Sequence, residues 1–403
     1  MNILLLRESN PYCCSDASAN RFRGLVEGLC QLGHNVTIGV VGGLHKKDED
    51  KFFISPTDKL KVVYLSRANH YNGIVGRLNT YFFDWWHQIV IRKKFRWLYK
   101  VKYDVIWITS SYTVLALFLN VYKSINGNSK IFIELNEYND IYAEDTQGNF
   151  LQRRRGIRES RMMLEAISKI DLFAVMTQTL LNYYKGVAKN DAVFMHLPMT
   201  VDMSRFQSVT TSVEYKKPYI AFTGTMTNHK DGVDILIKAF AKVADKHLAY
   251  HLYLAGFWHY DVPMQEKLIE EYGLQDRIHY IGTLTREQIP PFVCNASVLA
   301  LSRPDSHQAQ GGFPTKLGEY LATGNPVCVT KVGEIPDYLE DNISAFMAEP
   351  GNVDSFADAL DRALLDEKNA KEVGTKGIEV AKRNFDVRLQ AKRLDDFLLK
   401  NLL

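Results

Sequence analysis

The chain has 403 residues, of which 46% are hydrophobic and 24% charged, and its formal net charge is +3. This composition excludes a disordered chain, and the length is sufficient for two domains that each bury a core. No run of about 18 apolar residues occurs, and the apolar run in MNILLLRESN is too short for a signal peptide, so we expect neither a membrane span nor secretion. The five cysteines are odd in number and lack metal-ligand spacing, which predicts reduced thiols in a cytoplasmic protein.

The first half of the sequence alternates short apolar runs with helix-sized intervals. One amphipathic helix is predicted over 17–34, where apolar residues recur on one face. Buried parallel strands are predicted over 2–6, 35–41, 61–65, 103–109, 130–135 and 172–177. The alternation predicts a Rossmann-like domain with a doubly wound parallel sheet over residues 1–205.

The same alternation returns in the second half. Helices are predicted over 231–246 and 353–367, and strands over 219–224, 249–256, 277–282, 298–302, 326–330 and 345–350. We therefore expect a second Rossmann-like domain over 206–385, with 386–403 as a closing amphipathic helix. The predicted fold class is α/β, with two doubly wound parallel-sheet domains in tandem.

The segment GTMTNHKDG, residues 224–232, follows the first strand of the second domain. Ligands of open α/β sheets bind beyond the carboxyl ends of the strands, so this turn is a candidate site. Gly224 lies at the strand end and Lys230 lies before the predicted helix, where amide groups and a lysine suit a diphosphate. The alternative is an ordinary strand-turn-helix with a surface lysine. The pattern GxxxxGK[ST] does not occur, which argues against an ATPase.

The stretch GGFPTKLGEYLATGNPVCVT, residues 311–330, combines a glycine-rich entry with a short helix. Gly311 and Gly312 would allow close approach of a ligand, and Gly324 is suited to end the helix. Lys316 and Glu319 are three residues apart and so share a helix face. The alternative to a binding role is a solvated ion pair between these two side chains.

Polar clusters elsewhere are less specific. Asn136, Glu137 and Asp140 follow the strand over 130–135 and could serve a site, or could simply form a loop or helix cap. The carboxylates within 45–51 alternate with lysines, which is typical of a solvated charge run, so we expect no metal site.

Residues 81–103 interleave aromatic and basic side chains. This mixture is typical of interfacial segments, in which rings settle among lipid headgroups and cations meet anionic lipid. The alternatives are a helix that packs its rings into the core and a nucleic-acid-binding stripe. We predict peripheral binding to an anionic membrane surface on the inner face of the membrane, and no nucleic-acid partner.

Three motifs in order give the sequence a family resemblance. LPMTVDMSRF (197–206), YIAFTGTMTNHKDGVDILIKAFAKV (219–243) and FPTKLGEYLATGNPVCVTKVGEIPDYL (313–339) resemble the motifs of retaining GT-B glycosyltransferases of the group 1, or family 4, type. The resemblance covers nearly the whole chain. It implies two Rossmann-like domains that face a cleft, and transfer of a hexose from a nucleoside diphosphate sugar to a lipid-linked or polysaccharide acceptor in surface-glycan biosynthesis.

The resemblance also implies roles for individual residues. Lys230 would contact the donor diphosphate, Glu319 would hold the ribose hydroxyls, and with Asn136 these form the predicted catalytic set. The implied donor-binding residues are Gly224, Thr225, Lys230, Arg303, Gly311, Gly312, Phe313, Lys316 and Glu319, and the implied acceptor-binding residues are Ser15, Asp16, Asn20 and Arg21. The reaction would need no metal and no cofactor other than the nucleotide sugar as co-substrate.

Three positions depart from the family pattern. Gly311 stands where many relatives have a carboxylate, Thr225 where they have an arginine, and Asn136 where they have a histidine. A non-catalytic nucleotide-sugar-binding or scaffold protein of the same fold is therefore an alternative. A nucleotide-sugar 2-epimerase is a further one, although the acid/base carboxylates and histidine that it needs are not evident. The sequence leaves open the base (uridine or guanosine), the sugar, the acceptor and the oligomeric state.

Overall fold

A computed structural model of the chain describes residues 1–14, 16–42, 55–65, 89–125, 127–138, 150–207, 209, 215–216 and 218–402. The chain divides into two compact units, Met1–Leu197 together with Gln390–Leu403, and Pro198–Leu389. The predicted boundary after residue 205 lies beyond this division. Residues after Leu197 join the second unit because Met199 packs against Gly318 and the Val201 amide donates to the Phe385 carbonyl at 2.8 Å.

The first unit is built on a seven-stranded parallel sheet in the order β3-β2-β1-β4-β5-β6-β7. Its strands are β1 (Asn2–Arg7), β2 (Asn35–Val40), β3 (Leu60–Tyr64), β4 (Val105–Ile108), β5 (Lys130–Leu135), β6 (Leu172–Val175) and β7 (Val193–His196). The predicted strands of this half are confirmed, and β7 is an addition. Because β1 pairs with both β2 and β4, the strand order reverses beside β1, where doubly wound sheets bind ligands.

Helices cover the first sheet. They are α1 (Ala17–Gln31), α2 (89–98), α3 (Tyr112–Val121), α4 (Phe150–Ile167), α5 (Gln178–Lys185) and, from the end of the chain, α15 (Val387–Leu402). Leu394 and Leu398 of α15 are fully buried in the core of this unit. The helix approaches α1 so closely that a Cβ on Gly28 would lie 2.3 Å from the Cβ of Ala391. The closing helix is therefore part of the first unit from Gln390 onward.

The second unit is built on a six-stranded parallel sheet in the order β10-β9-β8-β11-β12-β13. Its strands are β8 (Tyr219–Thr225), β9 (His251–Phe257), β10 (Ile278–Gly282), β11 (Val298–Leu301), β12 (Val327–Thr330) and β13 (Phe346–Ala348). Each corresponds to a predicted strand, so the α/β class with two doubly wound parallel sheets is confirmed. The strand order again reverses beside the first strand of the unit, β8.

The helices of the second unit differ from the prediction at one point. They are α6 (Asn228–Asp231), α7 (Val233–Ala244), α8 (Val262–Glu271), α9 (Ile289–Cys294), α10 (His307–Gly311), α11 (Thr315–Thr323), α12 (Ile335–Tyr338), α13 (Val353–Leu365) and α14 (Glu367–Asn384). The helix predicted over 231–246 is divided at Gly232, which has φ +67°. A Cβ there would lie 2.1 Å from the Ser302 carbonyl oxygen, so the break requires glycine.

Candidate functional site

In the second unit, the Lys316 side chain lies across the carboxyl end of β8. Gly224 has φ +155°, and a Cβ at this position would lie 2.2 Å from Lys316 Nζ. The Lys316 ammonium also lies 4.9 Å from the centre of the Phe222 ring, within range of a cation–π contact. Gly224 is therefore needed to let the lysine of α11 reach the end of the strand.

Lys316 forms a largely buried ion pair with Asp231, Nζ to Oδ1 at 2.6 Å. Burial lowers the pKa of Lys316, the Asp231 carboxylate opposes that shift, and the nearby charges of Arg303 and Lys230 lower the pKa further. The charges of Lys230 and Arg303 therefore act on Lys316 at this strand end, in addition to its ion pair with Asp231. A cluster of three basic side chains is suited to an anionic ligand such as a diphosphate.

Lys230 lies in α6 and its side chain is exposed. The expected position, directly before the long helix, is corrected: Asp231 and Gly232 separate Lys230 from the first turn of α7. Thr227 caps α6 by accepting from the Asp231 amide at 3.2 Å. The lysine thus stands on a short, well-anchored turn, free to reach a ligand at the end of β8.

Glu319 and Lys316 do not pair with each other, so the alternative of a solvated pair between them is wrong. The Glu319 carboxylate accepts from Arg205 Nη1 at 2.9 Å, and Arg205 Nη2 donates to the Arg286 carbonyl at 2.8 Å. Burial raises the pKa of Glu319, whereas Arg205 acts to lower it. The Glu319 side chain keeps 23% of its exposure and the Arg205 side chain 11%, so the carboxylate can still be reached.

The other predicted donor-site residues have different surroundings. Gly311 ends α10 and Gly312 is extended at φ −100°, so their backbone conformation does not itself require glycine. The Phe313 ring is buried against Tyr338 and Phe385, with ring centroids 5.6 and 5.3 Å away, so this side chain is part of the core. Arg303 is 7% exposed and follows β11, and Thr225 is partly exposed beside Gly224.

Sequence reasoning missed three residues that position this site. Asp231 and Arg205 hold Lys316 and Glu319, and the buried Tyr320 hydroxyl accepts from the Thr223 amide at 2.7 Å. The last bond ties α11 to β8. All three lie inside the three motifs that resemble the family, so their position in these motifs is the sequence feature that could have identified them.

The first unit contains a cavity of about 580 Å³ at the carboxyl ends of β1, β4 and β5. Its lining includes Arg7, Ser18, Phe22, Ser111, Glu134 and Asn136. The Asn136 Oδ1 atom is buried and has no hydrogen-bond partner among the described residues. The structure thus places Asn136 where the sequence predicted a polar group, at the end of the strand over 130–135.

Three of the predicted acceptor residues, Asp16, Asn20 and Arg21, are not among the described residues that line this cavity. Asp16 caps α1 by accepting from the Ala19 amide at 2.8 Å, and Asn20 follows one turn later. Arg21 is corrected to a structural role, because its guanidinium forms a buried ion pair with Glu134 and donates to the Leu197 carbonyl at 2.9 Å. Ser15 lies outside the described residues.

Part of the aromatic and basic block is described. Residues 81–88 lie outside the described part, as do 45–51 and Asp140. Within 89–103, Phe95, Leu98 and Tyr103 are buried, whereas Trp97 is 62% exposed beside exposed basic side chains at Lys93, Arg96, Lys100 and Lys102. In the described ranges, no helix is long and apolar enough to cross a membrane, and no group of metal-binding side chains occurs.

Comparison with solved structures defines the class. Two doubly wound parallel sheets with covering helices are the GT-B arrangement. The chain is similar to sucrose-phosphate synthase from Thermosynechococcus elongatus (TM-score 0.76, 16% identity, 99% of each chain). It is also similar to HepE of Anabaena, solved in complex with UDP (TM-score 0.70, 14% identity, 99% of this chain and 100% of that one). At these identities the likeness shows the fold.

A family model matches part of the sequence. Residues 205–380 match the family described as "Glycosyl transferases group 1". This match confirms the predicted resemblance to group 1 glycosyltransferases. The 2-deoxystreptamine glucosyltransferase of Streptomyces kanamyceticus is 27% identical over 219 residues, 51% of this chain and 54% of that protein. The chain therefore matches only about half of this curated relative.

Proposed function

We propose that the protein is a glycosyltransferase that moves a sugar from a nucleoside diphosphate donor to a hydroxyl-bearing acceptor. The observation that carries the proposal is the cluster of basic side chains at the end of β8, Lys230, Arg303 and Lys316, within residues 205–380 that match the family. HepE, which shares the fold, was solved in complex with UDP, which supports this donor class.

Charge placement would supply most of the catalysis. As the bond to the sugar breaks, negative charge develops on the departing diphosphate, and cations already in position stabilise it without reorganisation. Lys230 is exposed and would contact the diphosphate directly. Lys316 is held by Asp231 at 2.6 Å and would act mainly by fixing that turn and by its field. We propose a retaining, metal-independent reaction with no protein nucleophile and no further cofactor.

Glu319 would bind the ribose of the donor. An ionised carboxylate accepts hydrogen bonds from both hydroxyls of a ribose, and Arg205 at 2.9 Å favours the ionised form. The first unit would bind the acceptor in the cavity that contains Asn136. The acceptor is a lipid-linked or polysaccharide glycan in this proposal.

Binding to nucleotides and turnover of a donor test the proposal. UDP and GDP are titrated while unfolding is followed, and a nucleotide that binds should raise the free energy of unfolding by about 2.7 kcal/mol once its concentration reaches about 100 times its dissociation constant. UDP-glucose and GDP-mannose are then incubated with the protein, and released nucleotide and sugar are measured. Failure of both nucleotides to bind would refute the proposal.

NMR of the sugar product, recorded as soon as it is released from the donor, tests retention. A retaining enzyme releases the sugar with the same anomeric configuration as the donor. A non-catalytic nucleotide-sugar-binding protein is the second candidate, favoured by Gly311 at the position of a carboxylate. It predicts binding without release. A 2-epimerase would convert the sugar nucleotide into its epimer.

We also propose that the first unit binds anionic membranes through Trp97 and the exposed basic residues beside it. Each basic residue near an anionic surface contributes about 1 kcal/mol, and the attraction is screened by salt. Arg92 and Lys94 are partly buried, and Lys94 donates to the Tyr64 carbonyl, so they are unsuitable for a test. The test variant replaces the exposed residues Lys93, Arg96 and Lys100 with Ser.

Flotation with anionic and neutral vesicles measures this binding. The triple variant should lose binding to anionic vesicles, and added salt should release the wild-type protein. A control variant with the exposed residues Lys267, Lys371 and Lys400 changed to Ser should still float. Equal flotation of the wild-type protein with both vesicle types, or with neither, would contradict the proposal.

A further inference from the structure

The cavity of the first unit has an unusual charge distribution. Arg7 lines it and is 7% exposed, and its Nη1 atom has no hydrogen-bond partner among the described residues. The guanidinium packs over the Phe22 ring at 4.8 Å, and Nη2 donates to Ser18 Oγ at 3.2 Å. A buried guanidinium N–H group without a hydrogen-bond acceptor destabilises the fold, unless a bound ligand supplies that acceptor.

The carboxylates near Arg7 do not neutralise it within the cavity wall. Asp16 is 3.9 Å away, is 57% exposed, and already caps α1. Glu134 lines the cavity but is paired with Arg21 behind it, and the remaining carboxylates of the lining, Glu8 and Glu137, are exposed. Among the described residues, Arg7 therefore has only a long ion pair, with the exposed Asp16, and its Nη1 donor is left for a ligand.

The same wall offers polar atoms suited to hydroxyl groups. Glu134 Oε2, Asn136 Oδ1 and Ser111 Oγ belong to residues that line the cavity, and each is buried without a hydrogen-bond partner in the described part of the chain. Two of these atoms only accept, and the serine hydroxyl can donate or accept. Sugar hydroxyls can both donate and accept, so a sugar can satisfy all three.

We propose that this cavity binds an anionic sugar, with Arg7 as the specificity-determining residue for its carboxylate or phosphate group. This deepens the proposed function, on which it rests for the claim that the bound sugar is the acceptor. The planar guanidinium pairs with the oxyanion, and the hydroxyls meet Glu134, Asn136 and Ser111. A neutral sugar of the same size would leave Arg7 without its partner.

The test compares three probes that differ at one group, in the absence of any nucleotide. Dissociation constants for methyl β-D-glucuronide, glucose 6-phosphate and methyl β-D-glucoside are measured by ligand-observed NMR. At least one anionic probe should bind about tenfold or more tightly than the neutral glucoside, the worth of a hydrogen bond to a charged group. Preference for the glucuronide identifies a carboxylate ligand, and preference for glucose 6-phosphate identifies a phosphate.

Variants locate the effect. Arg7→Gln should reduce the preference to about twofold or less, because the charge is gone, whereas Arg7→Lys should keep part of it. The matched control is Arg161→Gln, which removes an exposed arginine of the same unit. If Arg7→Gln does not fold, the affinities of the wild-type protein and of Arg7→Lys for the three probes still test the proposal.

Equal affinity for all three probes, binding of none, or a preference that survives Arg7→Gln would overturn the proposal. Because no nucleotide is present, the result is independent of the donor site. A protein that fails to bind UDP and GDP but prefers an anionic probe would refute the proposed function alone. A protein that turns over a donor but shows no preference would refute this inference alone.

Discussion

Replacing Glu319 with Ala tests how the second unit would hold a nucleotide. The Glu319 side chain keeps 23% of its exposure and is paired with Arg205 at 2.9 Å, and we propose that its carboxylate accepts hydrogen bonds from a ribose. Hydrogen bonds to a charged group contribute about 1.5 to 3 kcal/mol, so Glu319→Ala should weaken UDP or GDP binding about 10- to 150-fold. Calorimetry measures the affinity.

The stability of the variant should fall less than for a fully buried pair. Removing one partner of a buried ion pair costs about 3 to 5 kcal/mol, but Arg205 retains its bond to the Arg286 carbonyl and both side chains reach solvent. We therefore expect a loss of about 1 to 3 kcal/mol and a folded protein. Urea denaturation without nucleotide measures this loss.

The ribose hydroxyls supply the control for Glu319. A 2′,3′-dideoxy nucleotide should bind the wild-type protein more weakly, yet lose little further in Glu319→Ala, because both changes delete the same contact. The four affinities form a double-mutant cycle. Fully additive losses would show that Glu319 does not contact the ribose, and the assignment would be wrong.

Three further predictions concern other parts of the chain. Lys230→Ala should weaken nucleotide binding about 10- to 150-fold in calorimetry. The control is Lys238→Ala, which removes a lysine paired with Asp234 on the same helix and should leave the affinity unchanged. An unchanged affinity in Lys230→Ala would show that Lys230 does not contact the nucleotide. Burial lowers the pKa of both His251 and His279, whose ring nitrogens are 3.0 Å apart. The folded pKa values lie below the unfolded value of about 6.5, so the unfolded chain binds protons more readily than the folded protein. The contribution of these histidines to stability should therefore be fully present above about pH 6.5 and be lost as the pH decreases. Urea midpoints measured from about pH 7.5 to 5 should depend less on pH in His279→Gln than in the wild-type protein. Gly28→Leu should lower the melting temperature by forcing α15 away from α1, while Gly127→Leu, which has open space, should not; equal effects would contradict the packing argument.

The strands could be predicted from the sequence because their apolar runs are nearly continuous, which is typical of parallel strands that are buried on both faces. The missed strand, β7, is an edge strand with no buried residue, so its pattern resembles that of a loop. The division at Gly232 was missed because the pattern of apolar residues continues across it. What requires glycine there is the Ser302 carbonyl, which is 70 residues away in the chain.

The sequence indicated which residues to consider for the candidate site, but not the ion pairs that they form. Lys316 and Glu319 share a helix, yet their partners, Asp231 and Arg205, come from distant segments that only the folded sheet brings near. For α1 the helix was predicted correctly, but the cavity contacts Ser18 and Phe22, four residues apart on one face, whereas Arg21 turns into the core. Periodicity identifies the buried face of a helix and does not distinguish core from cavity.

The division of the chain has a consequence for its synthesis. The ribosome makes the second unit, Pro198–Leu389, in one uninterrupted stretch, whereas the first unit also needs Gln390–Leu403, which are made after it. Most proteins complete their N-terminal domain first. Here the core of the first unit stays incomplete until Leu394 and Leu398 of α15 have left the ribosome tunnel. The first unit is begun first but can be completed only after the whole second unit has been made.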